Sequence, residues 1–393
     1  MFYVQHLLGI GHLMRARLVA RALIAAGFRV HLVSGGLPVG GYVPSGVEVL
    51  QLPPIRADAT LKPLRDPSGQ PIDDAYRQQR RDSLLAAFAS IAPTIVLFET
   101  FPFGRRALRF EIVPLLERIA ATRPKPLVVA SVRDILQARN NIEREREMLD
   151  AANRWFDAIL VHGDIRFADF AATFPLARDI IAPIHYTGFV RACDASLPAT
   201  EVPERREVVV SAGGGAVGMD LIRVALAARE QSRFGHLQWR ILVGNNVADD
   251  DYRKLLAMAG TTTRKDEISP PAIVERARLD FAALLRGALV SISQAGYNTV
   301  LDVLTSGARG VFVPFAAHGE TEQRARANRL HELNLGVIID ETDLSPVTLA
   351  AAVDDAGSRE EWGRWDYACD GASRSALLIA ALAGVDVGQR AKV

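Results

Sequence analysis

Residues 291–323, SISQAGYNTVLDVLTSGARGVFVPFAAHGETEQ, constrain the fold more than any other stretch of this chain. An apolar run at 289–292 leads into a turn at 294–296, a helical pattern to about 304, a stop at Gly307 and a second apolar run at 310–314. That order predicts two parallel strands joined by a crossover helix. Ligands of open parallel sheets sit at the carboxyl ends of strands, so both following turns are expected to face one crevice.

The same alternation recurs along the chain. A strand over 2–8 runs into GIGHLMRARLVARALIAAG, where Gly9 and Gly11 make a tight turn, His12 opens a helix, and Gly27 ends it. Strands follow at 29–34, 47–52, 94–98, 127–131 and 158–162, with helices expected at 83–91 and 141–155. Residues 56–81 are polar with few apolar anchors, and such a long segment in a compact domain is either functional or mobile. Residues 193–206, CDASLPATEVPERR, hold two prolines and mark an interdomain linker. The pattern then restarts with strands at 207–211 and 239–243 and a glycine turn between them, and ends with strand 336–339, a helix from Ser345 and a last helix near 373–383. We therefore expect an α/β protein of two Rossmann-like domains, 1–192 and 207–393; whether the last helix crosses back to the first domain is not readable.

A chain of 393 residues suits two such cores. With 46 basic against 45 acidic residues, nothing suggests nucleic acid as a partner. Cys193 and Cys369 are too few for a disulfide framework or a cysteine-rich zinc site, which indicates a reducing compartment. No apolar run reaches the ~18 residues of a spanning helix, and Met1 enters the first strand without a charged leader, so a cytoplasmic location is expected. Peripheral contact at the inner face of a membrane stays open, because a lipid-borne acceptor would require it.

Chemistry concentrates at four places. His12, at a helix start, suits a general base, the alternative being a histidine that only bonds across a turn. Glu99, at a strand end, is the first candidate to orient it, with Asp134 the second. Ser211-Ala-Gly213-Gly214-Gly215-Ala-Val-Gly218 satisfies Gly-x-Gly-x-x-Gly after a strand, but the next strand ends in Leu242-Val243-Gly244-Asn245-Asn246 without the acid a dinucleotide site needs. That turn fits a diphosphate cradle better, working with the helix start after Gly296, where Asn298 and Thr299 present N–H groups. Asp302 could meet ribose hydroxyls, and Glu322 with Gln323 could grip a sugar. Asp249, Asp250 and Asp251 read as first-turn helix acids in preference to a metal site.

These motifs resemble the GT-B glycosyltransferases, especially the family of the peptidoglycan N-acetylglucosaminyl transferase and its uncharacterised relatives. The resemblance implies two domains facing across a cleft, His12 as base with Glu99 beside it, and a nucleotide sugar, UDP-linked, held by Gly11, Ser211, Gly213, Gly214, Gly215, Gly218, Gly296, Asn298, Thr299, Asp302, Glu322 and Gln323. It implies inverting transfer to a hydroxyl acceptor with no cofactor and no metal. Asp302 replaces the family's usual glutamate and Glu322 a glutamine, and His318 lies in a slightly longer loop. Gly-Ile-Gly-His-Leu-Met-Arg also resembles the opening of UDP-sugar hydrolases, in which water takes the acceptor's place; a non-catalytic nucleotide-sugar binding protein is the third reading.

Overall fold

The computed structural model describes residues 1–7, 9–40, 44–57, 63–138, 141–191, 205–212, 218–245, 247–260, 270–278, 280–316 and 319–385. The chain forms two compact units: Met1–Cys193 with Tyr367–Val393, and Asp194–Asp366.

In the first unit the elements run β1 (Phe2–Val4), α1 (Gly11–Ala25), β2 (Val30–Ser34), β3 (Val47–Gln51), α2 (Asp74–Ile91), β4 (Ile95–Glu99), α3 (Arg109–Ala121), β5 (Leu127–Arg133), α4 (Ile142–Trp155), β6 (Ala158–His162), α5 (Phe170–Thr173) and β7 (Ile184–Tyr186). The strands form one parallel sheet in the order β3-β2-β1-β4-β5-β6-β7, so connections reverse direction between β1 and β4. A crevice opens at the strand ends at such a switch point. Alternation along the strands sends Tyr3 and Phe98 to one apolar layer and Phe2, Val4 and Leu97 to the other. Both faces are covered, which is why the strands read as continuous apolar runs.

Two elements differ from the sequence expectation. β1 ends at Val4, short of residue 8, because the side chains that follow bond to loops: Gln5 Nε2 donates to the His6 carbonyl at 2.7 Å, and His6 Nε2 lies 3.0 Å from the Leu37 carbonyl. α2 begins at Asp74, nine residues before the expected start at 83, capped by Asp73, whose Oδ1 accepts from Tyr76 N–H at 2.8 Å. Its charged first half is held down by Arg80. That guanidinium is fully buried and donates from Nε and Nη2 to both oxygens of Glu111 on α3, each at 2.7 Å, while Tyr3 Oη donates to the same carboxylate at 2.5 Å.

The second unit holds β8 (Glu207–Ser211), α6 (Met219–Arg229), β9 (Gln238–Val243), α7 (Asp249–Gly260), β10 (Ile273–Arg276), α8 (Phe281–Leu285), β11 (Ala288–Ser293), α9 (Tyr297–Ser306), β12 (Arg309–Phe312), α10 (Glu322–Glu332), β13 (Val337–Ile338) and α11 (Pro346–Ser358). Its parallel sheet runs β10-β9-β8-β11-β12-β13, with its switch point between β8 and β11. Trp239 is fully buried at its centre. α9 ends on Gly307 in the left-handed conformation at φ 74°, and Arg205 donates to the Ser306 carbonyl there at 3.1 Å. Past Asp366, α12 (Gly371–Leu382) returns to the first unit and packs on α1 through Ala376 and Ile379, so the second unit ends where the sequence boundary ran on to 393. Of the expected linker 193–206, only Arg205 and Arg206 are among the described residues.

Candidate functional site

In the first unit, chemistry gathers at the carboxyl ends of β1, β4, β5 and β6. α1 starts at Gly11 with no side-chain cap, so the main-chain N–H groups of its first turn have no side-chain acceptor. His12 and Arg15 lie three apart on one face of this helix, and both reach Glu99, the last residue of β4. His12 Nδ1 is 3.0 Å from Glu99 Oε1 and 3.0 Å from Thr100 Oγ1, and Arg15 Nη2 donates to the same Glu99 oxygen. Glu99 Oε2 accepts from Ser131 Oγ at 2.9 Å, and Ser131 Oγ is 2.8 Å from His162 Nε2. His162 Nδ1 in turn lies 2.9 Å from Thr187 Oγ1. The register explains the run: Glu99 pairs with Ser131 across β4 and β5.

Glu99 is fully buried and His12 is 15% exposed. Burial works against the Glu99 charge but is outweighed by Arg15 and the His12 bond, which hold the carboxyl far below its ordinary range. Burial, then the charge of Arg105, holds the His12 imidazole well below its ordinary value against the raising effect of the Glu99 bond; Arg133 and Arg15 add to the lowering. Arg15 Nη2, which can only donate, also lies 3.3 Å from Nδ1, a longer contact than the 3.0 Å to Glu99; an ionised carboxylate only accepts, so we assign the Nδ1 proton to the shorter bond with Glu99. Nε2 is then a bare lone pair on a neutral ring, the form a general base needs. Asp134, the second candidate, is fully buried just beyond β5 against Gly163, and Glu99 is the carboxylate bonded to His12.

In the second unit, β8 and β11 are neighbours with Ser211 opposite Ser293. Gly218, at φ 96°, precedes α6; a Cβ there would come 2.6 Å from Ala212 Cβ and 3.3 Å from Gln294 Nε2. This conformation and closeness require glycine. Gly296 opens α9 without a side-chain cap, Asn298 and Thr299 stand in its first turn, and Asp302 stands one turn on, partly exposed. Gly213, Gly214, Gly215 and His318 lie outside the described residues.

Glu322 is placed differently from the expectation. It is 2% exposed, and its Oε1 accepts from Arg326 Nη2 at 2.9 Å. Arg326 also donates to the Ala295 carbonyl at 3.1 Å and lies over the Tyr297 ring at 5.6 Å. This pair therefore fixes the turn before α9 from within, and the Glu322 carboxylate is turned inward and not presented as a sugar contact. Gln323 Oε1 accepts from Phe315 N–H at 3.1 Å, which ties the loop after β12 to α10. Asp249, Asp250 and Asp251 form the first turn of α7 and pair with Arg276, Arg253 and Lys254.

Residues 208–361, nearly all of the second unit, match the glycosyltransferase family 28 C-terminal domain. Structures of low identity share the fold along the whole chain. CalG4, the calicheamicin glycosyltransferase, aligns over 98% of this chain and 94% of its own at TM-score 0.58 and 16% identity. Acinetobacter baumannii MurG aligns over 96% and 94% at TM-score 0.56 and 14% identity.

The chain has the GT-B fold, and its residues 208–361 are family 28-like.

Two curated relatives of this GT-B chain are UDP-N-acetylglucosamine--N-acetylmuramyl-(pentapeptide) pyrophosphoryl-undecaprenol N-acetylglucosamine transferases. The one from Thermotoga petrophila is 24% identical over 182 residues, 46% of this chain and 49% of the relative. The one from Thermotoga sp. strain RQ2 is 25% identical over 188 residues, 48% and 49%. The match thus spans about half the length of these relatives. The His12 cluster lies outside the segment matched to the family 28 domain. Arg15, Thr100, Ser131 and His162 were not picked out from the sequence; Arg15 alone had a readable signal, its three-residue spacing from His12.

Proposed function

We propose that this chain is an inverting, metal-independent glycosyltransferase that moves a sugar from a nucleotide sugar, UDP-linked, to a hydroxyl acceptor. The observation that carries the reading is the bond from His12 Nδ1 to Glu99, 3.0 Å long, which leaves Nε2 as base on a neutral ring. His12 Nε2 takes the proton of the acceptor hydroxyl, the hydroxyl oxygen bonds to the anomeric carbon, and the bond from that carbon to the diphosphate breaks with its electrons on the leaving nucleotide. One such displacement inverts the anomeric centre. Glu99 stabilises the imidazolium that forms.

The second unit supports the donor side. The starts of α6, after Gly218, and of α9, after Gly296, carry no side-chain cap, and such helix starts offer main-chain N–H groups and a dipole to an anion, the neutralisation a metal supplies elsewhere. Asp302 is the proposed ribose contact and Gln323 a sugar contact. The Thermotoga relatives, UDP-N-acetylglucosamine transferases, support UDP, and so do two fold neighbours: a Phytolacca americana enzyme complexed with UDP-2-fluoro-glucose and LpCGTa in complex with UDP. Among the described residues no helix is long and apolar enough to cross a membrane. We place the chain in the cytoplasm, at the membrane surface if its acceptor is lipid-linked.

The test is a screen of UDP release across donor sugars in chelator, with and without acceptor pools. Release that requires acceptor supports transfer. Release at full rate without acceptor makes the chain a nucleotide-sugar hydrolase, and no release with any donor removes the enzymatic reading.

A further inference from the structure

Arg105 follows β4 by six residues, in the left-handed conformation at φ 61°, which is unfavourable for a non-glycine residue. Its carbonyl accepts from Leu108 N–H at 2.8 Å, starting a short helical turn. Its side chain makes no hydrogen bond or ion pair with any of the described residues, and its Nε is buried. The neighbouring arginines differ. Arg15 is bonded to Glu99, Arg80 to Glu111, and Arg106 to Glu147.

The charges acting on Arg105 are those of Arg133 and Arg15, opposed by Glu99 and the Tyr3 hydroxyl. Glu99 is already committed through one oxygen to Arg15 and His12 and through the other to Ser131. Neither oxygen of Glu99 bonds to Arg105. Burial first, then Arg133, lowers Arg105 to about 10, so it stays charged at neutral pH. A partly desolvated cation beside like charge is unfavourable until a counter-charge arrives. A guanidinium offers a planar fork of donors that matches phosphate and carboxylate oxygens. Arg105 stands in the loop after β4, the strand whose last residue, Glu99, bonds His12, and its charge acts on His12 and on His6.

We propose that Arg105 is a binding residue for an anionic group, a phosphate or a carboxylate, carried by the acceptor substrate. The word acceptor rests on the reading of His12 as base; the anion site itself does not. Anionic acceptors are then selected over neutral ones by a residue outside the recognised motifs, from the loop after β4.

The probe is inorganic phosphate titrated into the full chain, followed through the ring signals of labelled histidine, with His12 assigned by its loss in His12→Gln. Phosphate held by Arg105 shifts the His12 signals, and Arg105→Gln weakens that response by about 10- to 100-fold, the worth of a bond between charged partners. Arg105→Lys restores part of it. Phosphate that leaves His12 unmoved in the parent chain, or moves it equally in Arg105→Gln, overturns the site. Kinetics then identify the source of the anion. Acceptor KM raised about tenfold or more with donor KM unchanged supports the proposal; a raised donor KM alone places the anion on the donor diphosphate and overturns the acceptor assignment. Because the titration requires no turnover, failure of the base reading in His12→Ala leaves its result intact, so the two failures are distinguishable.

Discussion

Glu99 Oε1 receives both the His12 ring and the Arg15 guanidinium, which come from successive turns of one helix. The histidine is thus oriented by a carboxylate that the arginine keeps ionised. Glu99→Gln removes the charge and presents an amide that can donate to Nδ1, moving the ring proton to Nε2, where it blocks the base. We expect kcat to fall about 10- to 10³-fold. A variant within twofold of the parent chain would contradict the orienting role.

The pH dependence carries a definite sign. Burial first, then Arg105, with Arg133 and Arg15 adding to it, disfavours the imidazolium of His12, and the Glu99 bond favours it. The acid limb of kcat/KM should lie well below pH 6.5, the ordinary imidazole range. Arg105→Gln removes a repelling charge and should move that limb upward, whereas Glu99→Gln should move it down. A limb at the same pH in all three proteins would contradict the assignment of His12 to it.

Glu322 and Arg326 make a buried pair in the second unit, 3% and 2% exposed. Glu322→Ala removes the carboxylate from a buried guanidinium and should lower the unfolding free energy of that unit by about 3–5 kcal/mol. Denaturant unfolding reads this directly. Unchanged stability with lost donor affinity would return Glu322 to the role of a sugar contact.

His162 is buried, and burial first, then Arg15, lowers it to about 3. The unfolded chain binds a proton near pH 6.5 that the folded chain refuses until about pH 3. Stability is therefore intact above 6.5 and falls on acidification through that window, by up to about 1.4 kcal/mol per pH unit. His162→Gln should flatten the slope of stability against pH between 4 and 6 by that share. An unchanged slope would show that His162 is charged in the folded state.

The sheet strands were legible where apolar runs met turn residues, as at β6 and β8, whose bounds coincide with the expectation. Burial on both faces writes itself into local composition. The first half of α2 was not legible, because its inward residue Arg80 is a charge neutralised by Glu111, 31 positions away. The same applies to the site. His12 and Glu99 were readable as strand-end and helix-start residues, but the Ser131, His162 and Thr187 contacts depend on strand order. The burial of Glu322 was not legible for a similar reason: its partner Arg326 lies one helical turn on, which a sequence presents as an ordinary solvent-facing pair, and only the packing of α10 under the Ala295 turn buries it.

The most direct test of the central claim pairs turnover with binding in His12→Ala. With the donor sugar that the parent chain uses, in chelator, the account predicts a loss of turnover of about 10²–10⁴-fold while calorimetry shows donor affinity largely kept. Turnover equal to that of the parent chain would contradict it.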